Sequence, residues 1–300
     1  MTTIILIHGI NNENNSAERI EQDWPEIIRK TAEKMGKTLP ADTKFKAAFY
    51  GQTLFEETEN WSSENEGVVR MSANDGKENY VDSEIAELYR NFQDGLGLTD
   101  DDVMQYLDEG DDMTAVRLAD GIHKKWLKAI VRAVENVVPT KGKYLARIFL
   151  KQAATYLHKP GTKEKIDDMV YDQVFSDLTE GDDFIVVSHS LGTIVSYALL
   201  RRFRKTLKTP LLMTLGSPLG IQIVKKRLGP PLVMLPNLKS WVNCADKEDF
   251  VALKPKLTKK TFGTDEIKNI TNIDNGKEDA HSILRYLSHE SVVEEILVAL

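Results

Sequence analysis

The chain has 300 residues, of which 41% are hydrophobic, and it carries a formal net charge of −7 at neutral pH. A chain of this size can bury a substantial core, either in one large α/β domain or in a domain with an insertion. The acidic balance argues against a nucleic-acid-binding protein, and the single cysteine excludes an internal disulfide or a cysteine-based metal site. No basic leader precedes the first apolar segment and no apolar run approaches ~20 residues, so we expect a cytoplasmic protein that does not span a membrane.

Six short apolar runs, bounded by turn residues, predict strands. They lie at Thr3–Ile7, Phe45–Tyr50, Phe184–Val187, Leu211–Leu215, Ser240–Cys244 and Ile267–Ile273. Helical patterns fall between or after them, at Ala17–Met35, Lys165–Leu178, Leu191–Lys205 and Ser282–Leu300. Strands that are apolar throughout and alternate with helices predict an α/β fold, in which a mostly parallel sheet is flanked by helices.

Residues 52–165 interrupt this alternation and indicate an insertion within a single domain that spans 1–300. Its first part, from Glu56 to Asp112, has 18 acidic and 3 basic residues, a net charge of −15. Its second part, from Met113 to Lys165, has 12 basic and 3 acidic residues, a net charge of +9. Apolar residues recur at helical spacing in this basic half, which predicts an inserted helical cap. Within the acidic half, the Glu-, Asn- and Ser-rich residues 56–78 favour a loop.

Two features of the insertion have alternative interpretations. The amphipathic stretch from Val116 to Val137 is either the core helix of the cap, with a second helix at Tyr144–Leu157, or a lid that contacts anionic lipid. The acidic clusters at 100–102 and 108–112 lack the ligand spacing of a calcium loop. We therefore expect no metal there, but a solvated surface that pairs with the basic half of the insertion.

The strongest local signal is the segment Phe184–Val195, in which an apolar strand, a turn containing Ser190 and a helix follow one another. This is the layout of a nucleophile elbow, whose sharp turn pushes a serine hydroxyl out above a sheet. The amides at the start of the helix point at any negative charge that forms beside Ser190. Ser188 departs from the usual Gly-x-Ser-x-Gly pattern by occupying the first glycine position. Because serine is small, we expect the turn to survive.

Four further segments join this elbow in a resemblance to the α/β-hydrolase superfamily, in particular to lipase-like members and intracellular serine esterases. They are Ile4–Asn12 with its His-Gly turn, Thr214–Gly220, the acid-bearing stretch Trp241–Val251, and Ala280–Ser282 with Tyr286. The segments occur in the order of the family and cover the chain except for the insertion. The resemblance implies a three-layer α/β-hydrolase fold with the cap inserted after its second strand, and triad residues in the order serine, acid, histidine.

Within this resemblance, Ser190 is the expected nucleophile, His281 the base and Asp249 the acid. A serine hydroxyl becomes nucleophilic when an imidazole accepts its proton, and a carboxylate fixes the tautomer of that imidazole. The backbone amides of Ile10 and Leu191 are expected to stabilise the oxyanion. This chemistry requires no cofactor and no metal.

One histidine and one aspartate compete for these roles. His289 is the main rival of His281, but we expect it to lie well within the terminal helix, whereas His281 follows the acidic loop 274–279. Asp246 follows the same strand as Asp249 and is either the acid or a brace of its loop.

Four other histidines are weaker alternatives as the base. His8 is expected to belong to a structural His-Gly turn, and His189 to project away from the elbow. His123 and His158 are expected to be solvated helix residues of the insertion.

These residues predict an enzyme that hydrolyses a carboxylic ester through an acyl-enzyme on Ser190. The partner is expected to be a small-molecule or lipid ester, such as an acyl lipid or phospholipid, while the oligomeric state is left open. A thioesterase, amidase or acyltransferase would use the same triad, and a catalytically silent hydrolase fold that acts as a binding module is the alternative of a different class. The charge split of the insertion further raises the hypothesis that it controls access to Ser190.

Overall fold

The computed structural model describes residues 2–64, 83–108, 124–138, 140–179 and 181–300. It has an α/β fold in which six strands form one sheet in the order β2-β1-β3-β4-β5-β6. The strands are β1 Thr3–Ile7, β2 Lys44–Ala48, β3 Phe184–His189, β4 Thr209–Leu215, β5 Leu238–Asp246 and β6 Lys268–Ile273. All neighbouring pairs are parallel. The predicted fold class, a parallel sheet flanked by helices, is therefore confirmed.

The described residues form eleven α-helices. They are α1 Ala17–Lys34, α2 Gly51–Glu64, α3 Ser83–Gly95, α4 Asp100–Met104, α5 Lys124–Val137, α6 Thr140–His158, α7 Thr162–Val174, α8 Leu191–Arg202, α9 Gln222–Leu228, α10 Ile283–Leu287 and α11 Glu290–Ala299. A short 3₁₀ helix, Lys277–Asp279, precedes α10.

The central strands are buried because helices cover the sheet. On one face, alternate residues of β1, β3, β4 and β5 pack with α1, α10 and α11 in one hydrophobic core. Helix α1 contributes Ile20, Trp24 and Ile28, which lie four residues apart and so share one side of the helix. On the other face, Tyr197 of α8 stacks on Trp241 of β5, with ring centroids 5.2 Å apart.

The register of the sheet brings the carboxyl ends of its central strands together. Ile7 at the end of β1 stands opposite Ser188 of β3, and Ser188 stands opposite Thr214 of β4. Thr214 in turn stands opposite Asn243 of β5. The loops that leave β1, β3, β4 and β5 therefore begin side by side, which is where parallel α/β sheets build their sites.

The terminal segment forms two helices, not the single helix predicted over Ser282–Leu300. Helix α10 ends at Leu287, and α11 begins at Glu290 with His289 as its extended N-cap residue. The break has a local cause, because the Ser288 hydroxyl hydrogen-bonds the Arg285 carbonyl and the His289 ring bonds Asn275. Both side chains thus favour a helix end over a continuous helix.

The loop predicted over 56–78 is wrong for its first nine residues, which belong to α2. Leu54, Thr58 and Trp61 are buried at helical spacing on one side of that helix. This apolar stripe outweighs the polar composition of the residues between its members. Residues 65–82 lie outside the described part of the chain.

The chain divides into two compact units, Met1–Thr53 with Glu164–Leu300, and Leu54–Lys163. In the second unit, the apolar stripe of α5 is buried, with Trp126, Ile130 and Val134 at most 6% exposed. The stripe therefore forms part of the core of the inserted unit. Among the described residues, no helix has the combination of length and apolar character that crossing a membrane requires.

Candidate active site

Ser190 lies at the turn between β3 and α8, in a backbone conformation that is rare for a residue with a side chain. Its φ is 54° and its ψ is −129°. Such a conformation costs about 1–3 kcal/mol and persists only where its surroundings hold it. Here the Ser190 amide donates to the Leu215 carbonyl at 3.0 Å, and the amide and hydroxyl of Thr193 donate to the Ser190 carbonyl. The strained turn is thus fixed by β4 and by the first turn of α8.

Two glycines allow the end of β1 to pack against this turn. A Cβ atom on Gly9 would lie 2.5 Å from the Ser190 Cβ and 3.0 Å from its hydroxyl oxygen. A Cβ atom on Gly192 would lie 2.2 Å from the His8 carbonyl oxygen. Neither approach is compatible with a larger residue, so the backbone that follows β1 directly borders the serine.

Ser190, His281 and Asp249 form a continuous hydrogen-bonded row. The Ser190 Oγ lies 2.9 Å from the Nε2 of His281. The Nδ1 of His281 lies 2.8 Å from both carboxylate oxygens of Asp249. Ser190 and the Asp249 side chain are fully buried, and the His281 residue is 7% exposed. The three side chains that the sequence singles out therefore meet at the carboxyl edge of the sheet.

Asp249 is held by groups other than His281. Its Oδ1 accepts from the amide of Val251 at 2.9 Å and from that of Ala252 at 3.4 Å. Its Oδ2 accepts from the hydroxyl of Tyr286 at 2.7 Å. All these partners are donors, which suits the acceptor-only ionised carboxylate and fixes its orientation toward the imidazole.

The two rivals of His281 and Asp249 lie beside this row without joining it. Asp246 accepts from the amide of Asn275 at 2.6 Å and from that of Glu248 at 2.8 Å, so it braces the loops on either side. His289 lies 3.0 Å from the Asn275 side chain and occupies the N-cap position of α11, rather than lying well within a helix as predicted. Burial lowers the pKa of His289.

His8 has the structural role that the sequence predicts. Its Nδ1 bonds the Gly9 carbonyl at 2.7 Å, and its Nε2 accepts from the amide of Tyr50 at 3.1 Å. The two rings stack with centroids 4.1 Å apart. Burial lowers the pKa of His8 to about 4, so the ring is neutral around pH 7.

The prediction that His189 projects away from the elbow is wrong. Its ring lies against that of His281, with centroids 4.6 Å apart. Its Nε2 has no hydrogen-bond partner among the described residues. The pKa of His189 lies well below its ordinary value, first because of burial and second because of the charge of His281. Side chains alternate along β3, so position 189 shares the face of Ile185 and Val187, on which α10 also packs.

The expectation that His158 is a solvated helix residue is also wrong. The His158 side chain is 3% exposed, because it lies in the last turn of α6 beside Glu84 of α3. His123 lies outside the described residues.

The backbone amides of Ile10 and Leu191 belong to the two segments next to Ser190. Leu191 follows Ser190 in the chain, and the segment of Ile10 borders it in space. Leu191 is the first residue of α8, and Ile10 follows the glycine that borders Ser190. Within the described part of the chain, neither amide donates to another backbone group. Asn12 braces the second segment by donating to the Ile10 carbonyl at 2.7 Å. Among the described residues, neither amide is therefore engaged by a backbone acceptor.

Ser188 fits the position where a glycine is usual. It belongs to β3, is fully buried, donates to the Met213 carbonyl at 3.0 Å and accepts from the Ser196 hydroxyl at 3.0 Å. Its hydroxyl thus has one partner in β4 and one in α8.

Gly216 and Tyr286 complete the surroundings of the row. Gly216 has a φ of 55°, and a Cβ atom on it would lie 2.6 Å from the Asp249 Oδ2. The sequence marks both residues only through the resemblance, with no function attached to either. A glycine at the end of β4 is the one signal from which a close backbone approach could have been predicted.

The acidic clusters of the insertion have structural partners where they are described. Asp102 forms a capping box with Thr99 at the start of α4, and Asp108 pairs with Arg132 of the basic half at 2.8 Å. Within the described ranges, no three acidic, histidine or cysteine side chains converge in a way that could hold a metal ion. Residues 109–112 lie outside those ranges.

Comparison of the chain with protein-family models, with curated proteins and with solved structures finds no match.

Proposed function

We propose that the chain is a serine hydrolase of the α/β-hydrolase type that cleaves a carboxylic ester. The observation that carries the proposal is the row from the Ser190 Oγ to the His281 Nε2 at 2.9 Å and from the His281 Nδ1 to Asp249 at 2.8 Å. The positive φ of Ser190 supports it, because strain of this kind clusters at active sites.

In the proposed reaction, the Ser190 hydroxyl gives its proton to the Nε2 of His281 as its oxygen attacks the ester carbonyl. The resulting imidazolium is stabilised by Asp249, which accepts from Nδ1 and so keeps Nε2 free to receive the proton. Negative charge develops on the former carbonyl oxygen, where the amides of Ile10 and Leu191 donate to it.

The tetrahedral intermediate then collapses, and the His281 imidazolium gives its proton to the leaving alcohol oxygen. Water gives a proton to the same imidazole and attacks the acyl-Ser190 carbonyl; the acyl–Oγ bond then breaks, the imidazolium returns the proton to the Ser190 Oγ, and the carboxylic acid is released. Each step returns the proton to the group that next requires it, so no cofactor enters the proposed cycle.

The substrate class is part of the proposal. A small-molecule or lipid ester, such as an acyl lipid or phospholipid, is favoured by the resemblance to lipase-like esterases. Contact with anionic lipid through 116–137 remains a prediction, and the buried stripe of α5 supports the alternative, a core helix. A cytoplasmic location is proposed on the single cysteine, Cys244, which is free and buried.

A second proposal concerns the insertion, whose first part carries a net charge of −15 and whose second part carries +9. Because of this charge split, we propose that the insertion 52–165 controls access to Ser190 as a lid. Variants that lack residues 110–163, if they fold, are expected to hydrolyse long-chain esters at a changed rate relative to short-chain esters. Unchanged rates across both chain lengths would contradict the lid.

Two pairs of matched variants test the proposed chemistry. Asp249→Asn and His281→Ala are expected to lower kcat/KM for a soluble p-nitrophenyl ester by about 10³- to 10⁴-fold, as loss of a triad member does elsewhere. Asp246→Asn and His289→Ala remove the same chemical groups from the bracing network and are expected to lower it far less. If Asp246→Asn were as damaging as Asp249→Asn, or if His281→Ala kept full activity, the assignment would be wrong.

A further inference from the structure

We infer that Tyr286 is a positioning residue of the proposed active site, and that its hydroxyl holds Asp249 in the orientation that directs His281 toward Ser190. This inference rests on the proposed function. It assigns no chemical step to Tyr286, which touches Asp249 and not the reacting serine.

The hydroxyl of Tyr286 lies between two groups of the acid-bearing segment. The backbone amide of Asp246 lies 2.9 Å from the hydroxyl oxygen, and the Oδ2 of Asp249 lies 2.7 Å from it. The amide can only donate, so the single hydroxyl proton goes to Asp249. The direction of both bonds is therefore fixed: Asp246 donates to Tyr286, and Tyr286 donates to Asp249.

This donor is the only one, other than His281, that the described residues supply to the Oδ2 of Asp249. The amides of Val251 and Ala252 both serve Oδ1. Without the hydroxyl, only the mobile imidazole of His281 would contact Oδ2, and the backbone would hold the carboxylate at Oδ1 alone. The bond from Tyr286 thus fixes the second oxygen, on which the position of the imidazole depends.

The surroundings keep the phenol in place and protonated. Tyr286 is fully buried, and its amide donates to the carbonyl of Ser282, the N-cap residue of α10, which directly follows His281. The ring also passes close to Gly216, where a Cβ atom would lie 3.2 Å from its Cε2. Burial, and then the charge of Asp249, raise the pKa of Tyr286 well above its ordinary value. The helix that follows His281 thus also carries the group that fixes its partner.

The chain offers a matched control. Tyr197 of α8 is also fully buried, and its hydroxyl also accepts one bond and donates another, both with the backbone of Val233. Tyr197→Phe and Tyr286→Phe therefore remove the same atom from comparable surroundings. Only the second touches the proposed active site.

The experiment compares wild type, Tyr286→Phe and Tyr197→Phe by two readouts. The first is the low-field proton resonance of the His281 Nδ1–H, identified by its loss in His281→Ala, which reports the bond to Asp249 without any turnover. The second is the rate at which a fluorophosphonate labels Ser190. We expect Tyr286→Phe to broaden the resonance through solvent exchange and to slow labelling about tenfold, the typical effect of losing one hydrogen bond to a charged group. We expect neither change in Tyr197→Phe.

The outcomes separate the inference from the proposed function. A Tyr286→Phe protein with the resonance and labelling rate of Tyr197→Phe would overturn the inference, and so would a wild type without the resonance. A folded wild type that shows the resonance but is not labelled would contradict the proposed function alone. If Tyr286→Phe does not fold, a protein with 3-fluorotyrosine at position 286 replaces it in the resonance measurement. Its more acidic hydroxyl is expected to weaken the Nδ1 bond and move the resonance upfield, and an unchanged resonance would overturn the inference.

Discussion

Replacing Gly216 by alanine tests how closely the end of β4 packs against the Asp249 carboxylate. The new Cβ atom would stand 2.6 Å from the Asp249 Oδ2 and 3.2 Å from the His281 Nδ1. The carboxylate would have to move by roughly 0.5 Å or more to regain an ordinary van der Waals distance. The positive φ of 55° adds strain of about 1–2 kcal/mol for any residue with a Cβ atom.

Gly36 provides the control for backbone strain alone. It has a φ of 69° at the end of α1, in a Schellman motif closed by the bond from the Lys37 amide to the Ala32 carbonyl, and a Cβ atom there would meet nothing within 4 Å. Gly36→Ala is therefore expected to lower the free energy of unfolding by about 1 kcal/mol and to leave labelling unchanged. Gly216→Ala is expected to lower it by about 3 kcal/mol, because a hydrogen bond to a charged group is also disturbed.

The assay is urea unfolding together with the rate of fluorophosphonate labelling. Because misplacing a reacting group by about 1 Å can reduce a rate a hundredfold, we expect Gly216→Ala to label about 10- to 100-fold more slowly than Gly36→Ala. Equal labelling rates in two folded variants would refute the reasoning, since the acid and the base would then tolerate the displacement.

Three further predictions concern groups around the site. His8 has its pKa lowered from 6.5 to about 4, so the unfolded chain binds a proton that the folded chain does not over that range. Stability is therefore expected to fall with decreasing pH, by about 2 kcal/mol between pH 7 and pH 5, and urea unfolding that shows no loss would contradict this. Ser188→Gly removes the bond to Met213 and is expected to cost about 1–2 kcal/mol in urea unfolding while labelling persists; lost labelling would show that the serine is required. His189→Phe keeps a ring against His281, so kcat/KM is expected to stay within about threefold of wild type, and a larger loss would assign His189 a role beyond packing.

The strands could be predicted because their physical signal is local. Runs such as Ile4–Ile7 and Phe184–Val187 are apolar throughout, as expected for strands covered on both faces, and both are completely buried or nearly so. Strand order and register depend on pairing between distant segments. The meeting of Ser190 with His281, 91 residues away, was expected only through the resemblance.

The details of the site could not be predicted because they depend on packing between elements. The orientation of His189 toward His281 follows from the side of β3 on which α10 packs, and no feature near residue 189 specifies that side. The roles of Asp246 and Asp249 differ because of Asn275 and Tyr286, which lie 29 and 37 residues further along the chain. The polar composition of 56–64 also led to a wrong prediction, because Thr58 and Trp61 continue from Leu54 a row of buried residues at helical spacing in α2.

The most direct test of the central claim is labelling of the purified protein with a small fluorophosphonate, followed by mass spectrometry to locate the adduct. Wild type, Ser190→Ala and His281→Ala would be compared after their folding is verified. We predict one adduct, on Ser190, that is absent from both variants, because only an imidazole at 2.9 Å makes that hydroxyl nucleophilic. A folded wild type without an adduct, or an adduct that survives in His281→Ala, would contradict the account.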